Sequence, residues 1–189
     1  MKSTNKKYIS LDKFIDSALY KKNSGFYMNK NPIGKNGDFI TSPNISVLFS
    51  EMIAVWVISF WENLKYPKKI NLVEMGGGTG EMTFQLLKTF DNFPVFRNSC
   101  KIYIYEKSPF LIKLQKKKLK KFEVKWLEKL KNVEKGPTIY LANEFFDSLS
   151  IKQFLKKKSS WFERYVKIQN SRYQYHNVRC DIKKLESKI

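Results

Sequence analysis

The chain has 189 residues, of which 42% are hydrophobic and 15% aromatic, enough to bury one substantial core. This composition excludes a disordered tail and a collagen-like fibre. The formal net charge is +19, and only four of the 36 basic residues are arginine. Base-specific nucleic-acid recognition relies on the planar arginine fork. The lysine excess therefore favours a solvated basic surface, with a selected polyanion-binding surface as the alternative.

Few residues of this chain suit metal binding or disulfide formation. Cys100 and Cys180 lie far apart, and His176 is the single histidine, so we expect no metal site and no disulfide framework. We expect His176 in a surface strand or loop. The most apolar stretch, residues 45–61, is interrupted by Glu51 and is too short to cross a bilayer, so no membrane insertion is expected. No secretory signal or mitochondrial presequence is evident, which predicts a cytoplasmic protein, mitochondrial only in a eukaryotic host.

The first 66 residues predict helices and a loop. Ser10 is placed to cap a helix whose apolar stripe covers residues 11–19 and which ends before Gly25. After a loop, Ser42 is placed to cap a second helix with Pro43 at its first position. One apolar stripe of this second helix is expected to face a core: Ile45, Leu48, Phe49, Met52 and Trp56.

From residue 70 strands and helices alternate. Strands are predicted at 70–74, 101–105, 122–126 and 138–142, with helices after the first two. This alternation is typical of a parallel sheet with crossover helices. After residue 150 the pattern predicts a β-hairpin and a further strand at 173–178.

Four of the eight glycines lie between residues 76 and 80, after a strand and before a helix. Glycines there let backbone N–H groups approach a ligand at the positive end of a helix. The spacing Glu74-x-Gly76-x-Gly78-x-Gly80 is neither the dinucleotide fingerprint nor a phosphate-binding P-loop. Glu74 suits a cationic ligand, and Glu106 ends the second strand, where such folds place an acid on ribose hydroxyls. A positively charged nucleoside, S-adenosylmethionine, fits both acids.

Residues 136–150 contain no lysine or arginine but include Glu144 and Asp147. They begin with the fourth strand and pass its carboxyl end, where open α/β sheets hold ligands. A guanidinium substrate favours paired carboxylates, which orient it and offset its charge. The alternative is that either acid only caps the following turn.

Four segments resemble the MidA-like family of class I S-adenosylmethionine-dependent methyltransferases, which includes an assembly factor of mitochondrial respiratory complex I. They are residues 37–43, 74–80, 106–109 and 142–149, and the resemblance runs from about residue 10 to residue 166. Departures from the family pattern are Gly77, Thr79 and Asn44. The resemblance implies an α/β protein with a Rossmann-like methyltransferase sheet and methylation of arginine in a protein substrate, for mitochondrial members a complex I subunit.

The resemblance also implies roles for single residues. Segment 1–66 is expected to cover the cofactor site, 67–150 to form the S-adenosylmethionine-binding half-sheet and 151–189 a hairpin extension. Glu144 and Asp147 are the expected catalytic residues, Glu144 binding the target arginine. The expected cofactor-binding residues are Asp38, Ser42, Glu74, Gly76, Gly78, Gly80, Glu106 and Asn143.

The predicted sheet is incomplete, because the family fold needs about seven strands and only strands 3, 2, 1 and 4 can be placed. The missing part is expected from a separately encoded C-terminal half, unless the chain is a shortened or degenerate member. The expected partners are this C-terminal half or a second copy of the chain. Two other functions remain open. One is a non-catalytic assembly protein that retains the cofactor loop, and the other an RNA-directed methyltransferase that uses the lysines of residues 113–121.

Overall fold

The structure, a computed structural model, describes residues 7–29, 32–34, 37–170 and 172–181. The chain forms two compact units, one comprising Met1–Lys21 and Ser148–Ile189 and the other Lys22–Asp147. The predicted division at residues 66 and 150 stays a prediction.

Eight strands and seven α-helices occur among the described residues. The helices are α1 (Leu11–Tyr20), α2 (Phe26–Asn29), α3 (Ser42–Ile45), α4 (Val47–Asn63), α5 (Glu81–Phe90), α6 (Pro94–Ser99) and α7 (Pro109–Lys118). The strands are β1 (Lys7–Ser10), β2 (Ile70–Met75), β3 (Cys100–Tyr105), β4 (Lys125–Leu127), β5 (Thr138–Leu141), β6 (Phe154–Lys157), β7 (Ser160–Gln169) and β8 (Arg172–Cys180). Two 3₁₀ turns cover Leu130–Asn132 and Phe146–Ser148.

The Lys22–Asp147 unit is built on a four-stranded parallel sheet in the order β4-β3-β2-β5. Leu72 in the centre of β2 lies opposite Ile102 of β3 and Ile139 of β5. The first five residues of β2 are buried, as expected of a central parallel strand covered on both faces. The predicted strand order is confirmed.

Aromatic packing joins the helices to one face of this sheet. The Trp61 ring lies 5.4 Å from Phe96, which lies 4.7 Å from Phe90, all as edge contacts between ring centroids. Ala54 and Leu87, both fully buried, belong to the same cluster. This cluster holds α4 and α5 against the strands of the sheet.

The predicted inner stripe of the second helix is wrong except at Phe49, which is half-buried and packs against the core cluster. Ile45 is 72% exposed, Leu48 62%, Met52 61% and Trp56 51%, whereas the buried face contains Ala54 and its helical neighbours Val57, Ile58 and Trp61. The error has two causes. First, α4 is apolar on both faces and carries no lysine or arginine, so the periodicity of its sequence cannot identify the inner face. Second, a break at Ser46 places Ile45 in the separate helix α3.

The other unit is an antiparallel sheet centred on β7. Strand β8 pairs with β7 from Trp161 to Gln169, while β6 and β1 share the opposite edge. The hairpin β6–β7 and the strand β8 were predicted. Strand β1 was not, because a single four-residue strand in a basic segment gives no periodic signal.

Several smaller predictions can be compared with the described residues. His176 is exposed in β8, with its ring centroid 4.9 Å from that of Tyr8, as expected for a surface strand. Cys100 and Cys180 are both free. Within the described ranges, no cluster of His, Cys, Asp and Glu could hold a metal ion. No helix in those ranges is long and apolar enough to cross a membrane. Ser10 precedes α1 as predicted, but its side chain forms no capping hydrogen bond.

Candidate active site

A five-residue loop connects β2 to α5 at the carboxyl edge of the parallel sheet. Its three alternate glycines, Gly76, Gly78 and Gly80, all have positive φ angles, of 72°, 51° and 80°. A Cβ atom on Gly76 would lie 2.8 Å from Cδ2 of Phe145, closer than side-chain carbons approach. Both the backbone angle and the close ring therefore require glycine at this position. The amide of Gly76 donates to the carbonyl of Tyr105 at 2.8 Å, which ties the loop to the end of β3.

Glu74 is buried at the end of β2, just before this loop, and is only 5% exposed. Its carboxylate accepts a hydrogen bond from the hydroxyl of Thr83 in α5. Burial raises the pKa of Glu74 to about 8, the Thr83 hydrogen bond opposes this rise, and the nearby charge of Glu106 adds to it. No cation is among the groups that shift this pKa, so the site is electrostatically suited to a positively charged ligand group.

Glu106 follows β3 and lies next to the same loop. One carboxylate oxygen accepts from the backbone amide of Ser108 at 2.9 Å, and the other accepts from Nε2 of Gln115 at 3.3 Å. Burial raises the pKa of Glu106 above its ordinary value, although backbone hydrogen bonds from Ser108, Lys107 and Gly78 oppose the shift. The first two parallel strands thus lead to two acids beside one glycine loop, Glu74, which is buried, and Glu106, which is half-buried.

The segment that precedes α3 lies against the glycine loop. A Cβ atom on Gly78 would lie 3.1 Å from Cδ1 of Ile33. Ile33 itself is held by a bridge to Phe39, whose amide donates to the carbonyl of Pro32 at 2.8 Å. Asp38 is exposed in this segment, and Ser42 is the first residue of α3. Ile33, a residue that the sequence analysis did not select, therefore lies beside the loop. That residues 1–66 cover a cofactor stays a prediction.

The chain reverses direction after β5, over residues 142–147. Glu144 has φ +50°, a left-handed conformation that is costly for a residue with a side chain and is concentrated at functional sites. Glu144 and Asp147 are exposed, whereas Asn143 is half-buried. Phe145 reaches back over Gly76, and its ring centroid is 6.3 Å from that of Tyr105. The predicted acidic window consequently adjoins the glycine loop.

Tyr27 connects the acids of this region electrostatically. Burial raises its pKa, and the charges of Glu106, Asp147 and Glu144 raise it further, in that order. The carbonyl of Tyr27 accepts a hydrogen bond from the Ser108 hydroxyl at 2.5 Å, which fixes α2 against the start of α7. The charges of the proposed ribose acid and of both proposed substrate acids therefore all act on one half-buried tyrosine.

Besides Ile33, the sequence did not predict three residues of the site: Thr83, Gln115 and Tyr27. Thr83 and Gln115 lie in helices that periodicity describes only as amphipathic, where a buried polar residue gives no separate signal. Tyr27 lies in a segment that the glycine and proline pattern predicts as loop, although residues 26–29 form the short helix α2.

A parallel α/β sheet with a glycine loop after its first strand and an acid directly after the next strand defines a nucleoside-cofactor domain of the class I methyltransferase type. Residues 52–188 match the model of a family described as "Putative S-adenosyl-L-methionine-dependent methyltransferase", and the chain belongs to this family. S-adenosylmethionine is the cofactor of that family.

Curated relatives carry a more specific name. The chain is 35% identical over 184 residues to the mitochondrial protein arginine methyltransferase NDUFAF7 of Xenopus tropicalis, and the match covers 85% of this chain and 43% of the relative. The human NDUFAF7 is 31% identical, with 85% and 42% covered. The chain thus spans less than half the length of these relatives.

A solved structure shows the same fold. A COG1565 superfamily member from Burkholderia thailandensis, crystallised with S-adenosyl-homocysteine, superposes with a TM-score of 0.78 at 22% identity. The superposition covers 96% of this chain and 48% of the bacterial one. It confirms the predicted Rossmann-like fold.

Proposed function

We propose that this chain forms the cofactor-binding part of an S-adenosylmethionine-dependent methyltransferase that acts on arginine in a protein substrate. The observation that carries the proposal is the position of the acidic window, since Phe145 within it covers Gly76 of the glycine loop. Its acids, Glu144 and Asp147, lie in the longest basic-free part of the second half of a +19 chain. The NDUFAF7 name of the relatives supports the choice of arginine.

The buried acids and the loop fit this cofactor. Glu74 is removed from water by burial, and no cation contributes to the shift of its pKa. Such a carboxylate suits an ammonium or sulfonium group. Glu106 is proposed to bind the ribose hydroxyls, with Asp38, Ser42 and Asn143 as the further proposed contacts. When bound, S-adenosylmethionine supplies an electrophilic methyl group.

The proposed roles of the chain's own acids are electrostatic. Glu144 binds the target guanidinium and Asp147 acts as a second carboxylate, so that both orient the acceptor nitrogen and offset the positive charge. The reaction needs alignment more than acid–base power, because a direct displacement forms the nitrogen–carbon bond as the sulfur–carbon bond breaks. The acceptor nitrogen afterwards releases its extra proton to water or to one of these carboxylates.

The test uses Glu144→Gln and Asp147→Asn, which keep side-chain size and remove charge. Methyl transfer is measured from radiolabelled S-adenosylmethionine to a set of synthetic peptides with a central arginine, with lysine-substituted peptides as controls. The double variant is expected to lose at least about 100-fold in transfer, since two charge-assisted contacts are removed. Its affinity for S-adenosylhomocysteine, measured by calorimetry, is expected to change less than about threefold. Full transfer activity in the double variant would show that the substrate assignment is wrong.

A non-catalytic assembly protein that retains the cofactor loop stays the second candidate. It predicts no transfer to any peptide. Calorimetry with S-adenosylmethionine tests it further, because absent binding, or binding that Glu106→Ala does not weaken, supports an architectural loop. A separately encoded C-terminal half and a second copy of the chain are further proposed partners, and a mitochondrial location is proposed only for a eukaryotic host.

A further inference from the structure

Gln115 is a fully buried polar residue on the inner face of α7, and neither the family motif nor the proposed chemistry includes it. Its Nε2 atom donates to the carbonyl of Gly78 at 2.9 Å and to Oε2 of Glu106 at 3.3 Å. Its Oε1 atom accepts from the indole Nε1 of Trp126 at 2.8 Å. One carboxamide therefore joins the glycine loop, the acid after β3 and the strand β4.

The orientation of this carboxamide is determined by its partners. An indole N–H can only donate, so the oxygen of Gln115 must face Trp126. Both N–H groups must consequently face the two acceptors, the Gly78 carbonyl and the Glu106 carboxylate. Neither acceptor could be served if the amide were reversed.

The glycine loop also packs closely around Gln115. A Cβ atom on Gly77 would lie 3.1 Å from Nε2, and one on Gly80 would lie 3.4 Å from the Cα of Gln115. Any movement of Gln115 therefore moves the loop, and its hydrogen bonds hold the loop at a fixed distance from Glu106.

We propose that Gln115 is a positioning residue, which sets the Glu106 carboxylate relative to the glycine loop and thereby determines how well the ribose hydroxyls are held. The inference rests on the proposed role of Glu106 in cofactor binding. Gln115 acts through Glu106 and need not itself touch the cofactor.

The main test is Gln115→Glu, which preserves size and the acceptor for Trp126 but replaces the donating amide with a carboxylate facing Glu106. Affinities are measured by calorimetry for S-adenosylhomocysteine and for its 2′-deoxy analogue, beside thermal unfolding. We expect at least about tenfold weaker binding of S-adenosylhomocysteine, because two acceptors lose their donor, and a clearly smaller loss for the analogue that lacks a ribose hydroxyl.

Gln85→Glu is the matched control. Nε2 of Gln85 donates to Oε1 of Glu81 at 2.9 Å within α5, so the control makes the same chemical change beside another glutamate. Its affinities for both ligands are expected to stay within about twofold of the wild type, because this pair does not contact the loop carbonyl or Glu106.

Three outcomes overturn the inference. Unchanged affinity in a folded Gln115→Glu protein shows that Gln115 does not position the site. Equal losses for S-adenosylhomocysteine and its 2′-deoxy analogue show a general structural role. If Gln115→Glu does not fold, Gln115→Met replaces it, because this substitution adds no charge. Gln115→Met must then lose more affinity for S-adenosylhomocysteine than for the 2′-deoxy analogue, and equal losses for the two ligands overturn the inference. Failure of the wild-type protein to bind either ligand refutes the proposed function itself.

Discussion

Replacing Glu74 with glutamine tests whether this buried carboxylate binds a cationic part of the cofactor. The substitution keeps the hydrogen-bonding partner Thr83 and nearly the same volume while removing the charge. In the free protein, burial raises the pKa of Glu74 to about 8, so most molecules carry a neutral Glu74 at neutral pH. A cationic ligand favours the ionised form, and binding is therefore coupled to loss of a proton.

The magnitude follows from the position of this pKa. With a pKa of about 8, roughly one carboxyl in ten is ionised at pH 7 and one in a hundred at pH 6. If only the ionised form binds, affinity rises about tenfold per pH unit below pH 8 and levels off above it. Between pH 6 and pH 8 the wild-type affinity is expected to increase by roughly 50-fold more than that of Glu74→Gln.

Calorimetric titration with S-adenosylhomocysteine at pH 6, 7 and 8 measures this difference. The amino group of the ligand titrates identically against both proteins, so the ratio of the two affinities isolates Glu74. The variant is expected to bind more weakly than the wild type at every pH, and the ratio of the two affinities should be largest at pH 8. Parallel pH profiles for the two proteins would refute the assignment of Glu74 to a cationic ligand group.

The same shift predicts how the free protein responds to pH. The pKa of Glu74 is raised on folding, so its stability contribution is fully present below its ordinary value of 4.5 and is lost as pH rises through about 8. Between pH 5 and pH 8 the unfolding free energy of the wild type should therefore fall further than that of Glu74→Gln, by on the order of a few kcal/mol. Urea unfolding at both pH values measures the difference, and equal losses would contradict the burial argument.

Two further predictions test the loop and the helix packing. Gly76→Ala puts a side chain on a residue with a φ of 72° and places its Cβ only 2.8 Å from Phe145. Urea unfolding should therefore show a loss of about 1–3 kcal/mol in unfolding free energy, partly recovered in a Phe145→Ala background. An unchanged unfolding free energy would mean that the loop relaxes to accept the methyl group. On α4, Trp56→Lys should change the unfolding free energy by less than about 1 kcal/mol, whereas Ala54→Lys should lower it by more than about 3 kcal/mol. Similar losses in the two variants would contradict the observed inner face of α4.

Local sequence features determined the architecture of the parallel sheet. The short apolar runs 70–74 and 138–142 are long enough for buried strands and too short for helices, and the glycines that follow the first allow only a tight turn. Right-handed crossovers then leave few strand orders, and the observed β4-β3-β2-β5 order is the predicted one. The spacing of Glu74, the loop and Glu106 likewise indicated a cationic nucleoside before any geometry was known.

Tertiary structure decided the features that depend on packing between distant segments. The inner face of α4 is set by contact with α5 and by the Trp61–Phe96 ring contact, because an apolar residue occupies nearly every position of the helix. Gln115 lies 37 positions from the carbonyl that it binds, and Phe145 lies 69 positions from Gly76, so no local pattern could join them. A sequence records which residues are polar or apolar, but only the folded chain brings donor and acceptor together and removes the water between them.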